Sequence, residues 1–196
     1  MVKDIIVIGA SAGGYNAITK LVSKLPGDRQ VAIFVVMHMA KTSSPSIFKE
    51  HLEKNTQYKC HIPADKEEIQ SGCIYIAQPD LHMLIKPGRI HLVRGEKENH
   101  WRPSIDVLFR SAAASYGSCV TGIILSGMMD DGTSGMSAIK KSGGICIVQE
   151  PSEAEFSDMP LNVLNHVEVD HRVPIDDMGY ILDDILSKPF KRRTIP

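Results

Sequence analysis

The pentapeptide Gly9-Ala10-Ser11-Ala12-Gly13 closes a short apolar run and opens a helical pattern. A serine on such a strand-to-helix turn holds its hydroxyl above a sheet edge, and small neighbours let a substrate come close. The amides that open the next helix point at the same spot, where an oxyanion would form. Taken alone, Ser11 reads more readily as a helix cap. His38 follows a second apolar run, VAIFVVM at 31–37. Neighbouring strands lie about 4.8 Å apart, so a serine and a histidine on adjacent strand ends come within hydrogen-bond reach. A third run, 120–125, is followed by the loop SGMMDDGTSG at 126–135, which carries Asp130 and Asp131. Serine, histidine and aspartate supply the nucleophile, general base and orienting carboxylate of an acyl-transfer triad. The spacing leaves open which of the two aspartates serves, and either one also reads as a turn or cap residue. The chain order Ser, His, Asp differs from the Ser, Asp, His order of the α/β-hydrolases.

The same first turn argues against a dinucleotide site. That fingerprint, G-x-G-x-x-G, needs a glycine where this chain has Ser11. It also needs an acidic residue at the end of the second strand, where this chain has Met37-His38-Met39. A nucleotide-dependent oxidoreductase is therefore set aside.

These residues must be positioned by the elements around them. Residues 4–9 read as a buried strand, 13–25 as a helix stopped by Pro26-Gly27, and 31–37 as a second buried strand. Strand, helix and strand make a βαβ unit with a right-handed crossover. A helix is expected over 44–54. Residues 60–97 change character: the pieces at 73–77, 82–86 and 90–94, separated by Pro79-Asp80 and Pro87-Gly88, read as an antiparallel excursion. Ser104 is a suitable N-cap for a helix over 105–116. Strand 120–125, helix 133–142, strand 145–149, helix 159–165, strand 167–170 and helix 175–187 follow. The alternation predicts one doubly wound, mostly parallel α/β sheet with helices on both faces. Convergence of the three candidate side chains predicts strand 4–9 between strands 31–37 and 120–125.

The composition is that of an ordinary globular domain: 196 residues, 43% hydrophobic and 23% charged, with a net charge of -1. There is no bulk positive charge for nucleic acid, and no window of about 18 apolar residues for a membrane span. The N-terminal apolar run is too short for a signal peptide. Cys60, Cys73, Cys119 and Cys146 form no C-x-x-C pair and match no zinc spacing. Reduced structural thiols and a cytoplasmic setting are expected, with no cofactor and no metal. The basic stretch Lys188 to Arg193 reads as a solvated tail.

The chain resembles the catalytic domain of the chemotaxis protein-glutamate methylesterases, the CheB family. The resemblance runs through Ile8 to Gly14, Val36 to Met39, Gly72 to Ala77, Leu81-His82-Met83, Arg102 to Phe109 and Leu125-Ser126-Gly127-Met128 with Asp131 to Met136. A late turn at Asp158-Met159-Pro160 completes it. It implies a serine hydrolase that removes methyl esters from glutamate side chains of chemoreceptors and extends to deamidation of receptor glutamines. The partner implied is a methylated chemoreceptor cytoplasmic domain or a similar methylated protein. The family motif places the triad on Ser11, His38 and Asp131, its aspartate standing directly before the glycine. Ala12 and Met128 become oxyanion-donor candidates, and Arg102 a substrate-binding candidate whose competing role is a rim ion pair. Trp101 reads as packing, His82 and His91 as structural, and Asp131 also as a cap for the helix after Gly132.

Family members coupled to two-component signalling carry an N-terminal receiver domain. This chain starts at the esterase's own first strand, so a stand-alone catalytic domain over 1–196 is expected. Two departures from the family pattern stand out. Ala40 to Pro45 replaces the usual Pro and Gly-Phe-Thr turn, and Met129-Asp130 replaces a glycine followed by a small or polar residue. The alternative reading is a catalytically weak regulatory or binding module of the same fold, acting on a partner that is not a chemoreceptor.

Overall fold

The computed structural model describes residues 2–27, 29–40 and 43–187. The tail expected at 188–193 lies outside the described residues. The elements run β1 (Asp4–Ala10), α1 (Gly14–Ser23), β2 (Val31–Met37), α2 (Pro45–Glu53), β3 (Lys59–His61), β4 (Cys73–Ile76), β5 (His82–Lys86) and β6 (Arg89–Val93). They continue with α3 (Ile105–Tyr116), β7 (Val120–Ile124), α4 (Thr133–Lys141), β8 (Ile145–Gln149), α5 (Asp158–His166), β9 (His171–Val173) and α6 (Ile175–Ser187). Seven strands form one sheet in the order β3-β4-β2-β1-β7-β8-β9, with every pairing parallel. β1 therefore lies between β2 and β7, as the convergence argument requires.

Period-two alternation divides the apolar strands between two cores. Ile5 and Val7 of β1, with Phe34 and Val36 of β2, face α3, α4 and α5, where Leu108, Phe109, Met136 and Val163 close over them. Ile6 and Ile8, with Ile33 and Val35, face α1, α2 and α6, closed by Leu21, Phe48 and Leu182. Burial on both faces is why these strands read as unbroken apolar runs. Each fully buried Ile, Leu or Phe side chain contributes roughly 1.5–3 kcal/mol relative to exposure.

Two expectations are corrected. The antiparallel excursion is only the hairpin β5–β6. β4 belongs to the main sheet, parallel to β2, with all four residues buried, and β3 extends that edge. Its run Cys73-Ile74-Tyr75-Ile76 is apolar throughout, the signature of a two-sided strand, and the nearby turns of the hairpin obscured this. The last strand is His171–Val173, not 167–170. Val167 is drawn into the core as the C-cap of α5. Asp170 is held back by Lys140 (2.7 Å) and by the amide of Cys146 (2.8 Å). The Asp170 amide also donates to the carbonyl of Cys146 (2.9 Å), and residue pairing with β8 runs from His171 to Val173. Cys60, Cys73 and Cys146 are buried thiols outside any disulfide. Burial pushes Cys60 up to about 11 and Cys146 up to about 12, which leaves both as inert apolar groups at neutral pH.

Candidate active site

Ser11 directly follows β1 and His38 directly follows β2, so parallel pairing brings both to the carboxyl edge of the sheet. The amide of His38 donates to the carbonyl of Ala10 (3.1 Å), which continues the ladder one residue past β2. Beyond Ser11 the chain turns sharply into α1. Gly13 sits at φ 71, and a Cβ there would lie 2.6 Å from Ser126 Oγ and 2.9 Å from Glu155 Cβ. Only glycine fits both the backbone and the space. Ser126 pins this turn: its carbonyl accepts from Ser11 N–H (3.0 Å) and its Oγ donates to the carbonyl of Ala12 (2.8 Å). Its own amide donates to Gln149 Oε1 (2.8 Å) at the end of β8.

His38 Nδ1 lies 3.2 Å from Ser11 Oγ, and Nε2 lies 2.8 Å from Asp131 Oδ2. A carboxylate only accepts, so Nε2 carries the proton and Nδ1 offers its lone pair to the serine hydroxyl. The two ring nitrogens thus exchange the places they hold in the chymotrypsin-type triad. The side chains of His38 and Asp131 are each 1% exposed.

Asp131 is more than a partner for histidine. It takes hydrogen bonds from Asn99 Nδ2 (2.9 Å), Ser104 Oγ (2.9 Å) and the amides of Ile105 (2.8 Å) and Asp106 (3.1 Å). The cap expectation is therefore corrected: Asp131 caps α3, reached across the fold, and not the helix after Gly132. Ser104 is the N-cap by position, but makes no side-chain cap of its own; its hydroxyl serves Asp131. A carboxylate at a helix N-terminus gains from both the unsatisfied amides and the macrodipole. Burial pushes the Asp131 carboxyl up, but the His38 and Asn99 hydrogen bonds, the His38 charge and the Ile105 amide outweigh it and hold it below its ordinary value. Asp106, beside it, is raised, chiefly by burial and also by the Asp131 charge. Its Oδ1 accepts from Gly132 N–H (3.1 Å) and Gly135 N–H (2.6 Å).

A pH dependence of stability follows from the lowered Asp131. The stabilisation is fully present above the ordinary carboxyl value of 3.8 and is lost as pH falls through the lowered folded value. Urea midpoints of wild type and Asp131→Asn should differ clearly at pH 5 and converge as pH falls below 3.8. A gap that stays constant with pH would contradict the assignment.

Asp130 is exposed, and its carbonyl accepts from Thr133 N–H (3.1 Å) in the local turn. Met129 occupies φ 68, the left-handed region. The glycine expected from the family pattern would sit there without the ~1–2 kcal/mol steric penalty. Among the described residues, the amides of Ala12 and Met128 meet no acceptor, which leaves both available as oxyanion donors. A close approach shapes this corner: a Cβ on Gly127 would lie 3.0 Å from Ser11 Cβ and 2.0 Å from Met159 Sδ.

Arg102 is committed elsewhere. Nε (3.1 Å) and Nη2 (2.5 Å) donate to Asp80 Oδ1, and Nη1 donates to the carbonyl of Gly95. It forms the rim ion pair that was read as its competing role. His82 is buried, with Nε2 2.7 Å from the carbonyl of Glu96 and Nδ1 accepting from Ser104 N–H (3.2 Å), a structural role as read. Asn99 was missed, and Trp101, read as packing, has a more specific place. Trp101 stacks on His38 with ring centroids 4.1 Å apart and planes 8° from parallel. Asn99 bridges Asp131 and Asp106. Among the described residues no group of three or more His, Cys, Asp or Glu is placed to hold a metal ion, and no helix is long and apolar enough to cross a membrane.

A serine, a histidine and a buried carboxylate in hydrogen-bonded series at the carboxyl edge of a parallel sheet define an α/β protein built like a serine hydrolase. Comparison with known proteins narrows that class. The family model described as CheB methylesterase matches residues 6–182, and the chain belongs to that family. A relative from Leptospira interrogans, provisionally named a protein-glutamate methylesterase/protein-glutamine glutaminase, is 38% identical over 177 residues, covering 90% of this chain and 91% of that one. A Trichodesmium erythraeum protein-glutamate methylesterase/protein-glutamine glutaminase is 34% identical over 184 residues, covering 90% of this chain but 51% of its own length. The crystal structure of the Thermotoga maritima CheB methylesterase catalytic domain superposes with a TM-score of 0.88 at 28% identity, covering 94% of this chain and 100% of that one.

Proposed function

We propose that this chain is a protein-glutamate methylesterase that also deamidates glutamine side chains, with Ser11 as nucleophile, His38 as general base and Asp131 as orienting carboxylate. The observation that carries the proposal is the bonded series Ser11 Oγ, His38 Nδ1, His38 Nε2, Asp131 Oδ2, at 3.2 and 2.8 Å. Ser11 Oγ attacks the side-chain carbonyl as His38 Nδ1 takes its proton. The proton then passes to the leaving methoxide as methanol, or to the leaving amine as ammonia. Water activated by His38 releases the glutamate. Asp131 holds the reactive tautomer and offsets the imidazolium charge. The amides of Ala12 and Met128 are assigned to the oxyanion.

The substrate class proposed is the methylated cytoplasmic domain of a chemoreceptor, the acyl donor that the family resemblance implies. Incubation with methylated receptor from the same cell should release methanol in proportion to enzyme. The glutamine form of the receptor should release ammonia. Methylated receptor that keeps its methyl groups under these conditions would refute the substrate assignment.

A further inference from the structure

The turn that carries Trp101 and Asn99 is built for rigidity. Glu98 and Trp101 exchange backbone hydrogen bonds (3.0 and 2.9 Å), and the two residues between them, Asn99 and His100, lie at φ 50 and 68. Two successive left-handed residues are what a twist-matched two-residue hairpin turn demands. Ion pairs clamp both flanks: Glu98 with Arg110 of α3 (2.5 Å) and Arg102 with Asp80 (2.5 Å). The turn sends one side chain to each member of the buried pair. Asn99 donates to Asp131, and Trp101 lays its face on His38.

Trp101 belongs to neither hydrophobic core and is only partly buried. A large apolar ring kept out of the core and stacked on an imidazole does something other than fill space. Hydrogen bonds at both nitrogens and the bond to Cβ fix the position of the His38 ring but resist a small tilt of its plane only softly. A parallel ring 4.1 Å away limits that tilt. Its negative face also attracts the positive charge that develops on the ring as the serine proton is taken, a cation–π effect that grows when the pair is desolvated. We propose that Trp101 is a positioning residue for His38, setting the plane of the imidazole and stabilising its protonated form while the serine proton is held. This rests on the reading of Ser11, His38 and Asp131 as a triad.

The titratable groups that bear on His38 are Asp131 in contact with it, Asp106 behind Asp131, and Glu98, His100 and Arg102 on the turn itself. Glu98 and Arg102 are already in ion pairs, and His100 is exposed and adjacent to Trp101 in the chain, so His38→Gln separates the His38 signal from any other.

The chain has one tryptophan, so its emission has one source. A protonated imidazole quenches a stacked indole far more than a neutral one. Wild-type emission should fall in a single step as pH is lowered, and the step should vanish in His38→Gln. A step that persists undiminished in His38→Gln overturns the proposal, whatever the activity data. Kinetics on p-nitrophenyl acetate, a small ester that needs no protein docking, give the second arm. Trp101→Leu should lower kcat about tenfold with KM within twofold. Trp101→Phe, which keeps a ring face, should recover activity to within about threefold of wild type. Equal losses in the two variants, or no loss in either, would reduce Trp101 to packing and overturn the proposal. If Trp101→Leu does not fold, the emission comparison decides alone. An active Ser11→Ala would refute the triad itself and leave the emission step in place, so the two failures are distinguishable.

Discussion

Ser11→Ala should lower methanol release by about five to six orders of magnitude and leave the fold in place. The size follows from how serine triads behave: removing the nucleophile alone costs about as much as removing all three members, near 10⁶ in turnover. The small structural effect follows from what the hydroxyl touches. Among the described residues its one hydrogen-bond partner is His38 Nδ1, at 3.2 Å. The turn is held by other groups, through the Ser11 amide, the Ser126 hydroxyl and Gly13. An unfolding free energy within about 0.5 kcal/mol of wild type is expected. Full turnover in this variant would show that the nucleophile lies elsewhere.

Asp131→Asn should be the second most damaging change, at about 10⁴-fold in turnover, near 5 kcal/mol. The direction of the new amide decides the effect. Oδ1 of Asp131 accepts three bonds, from Asn99, Ser104 and the Asp106 amide, whereas Oδ2 accepts two, from His38 and the Ile105 amide. An asparagine keeps more bonds with its oxygen at the Oδ1 position, which turns its NH₂ toward His38 Nε2. The imidazole must then accept at Nε2 and carry its proton on Nδ1, so it loses the lone pair that serves Ser11. The Ile105 amide is left without an acceptor, a loss of roughly 1–3 kcal/mol in stability. Asp130→Asn should change turnover less than tenfold, because an exposed carboxylate acts only through a screened field. Reversed results for the two aspartates would move the orienting role one residue along the chain.

Ser11 and His38 were legible because strand ends are marked by apolar runs and because parallel neighbours must put their ends together. The aspartate was not legible from spacing. Its choice needed the family motif, since nothing local shows that Asp131 turns inward to α3 while Asp130 faces solvent. The helix it caps begins 26 residues earlier in the chain, and a cap made across the fold leaves no local signature. Asn99, and the stacking of Trp101 that was read only as packing, escaped for the same reason. Their partners are set by how a turn after the β5–β6 hairpin folds back over the sheet edge, a tertiary fact. The one available signal was Asn99-His100 between Glu98 and Trp101, a pair suited to left-handed turn positions. β4 was misassigned because apolar run and turn spacing compete there, and β9 because a half-buried three-residue edge strand carries almost no pattern.

The central claim is that Ser11 is the acylated residue, and a serine-directed fluorophosphonate tests it most directly. One equivalent should bind per chain, mass spectrometry should place it on Ser11, and methanol release should fall in step with labelling. His38→Gln should label far more slowly, since the hydroxyl then lacks its base. The nearest rival is Ser126, whose hydroxyl is tied to the carbonyl of Ala12 and accepts from the amide of Phe156. An adduct on Ser126 with loss of turnover, or full turnover from protein labelled to completion at Ser11, would contradict the account.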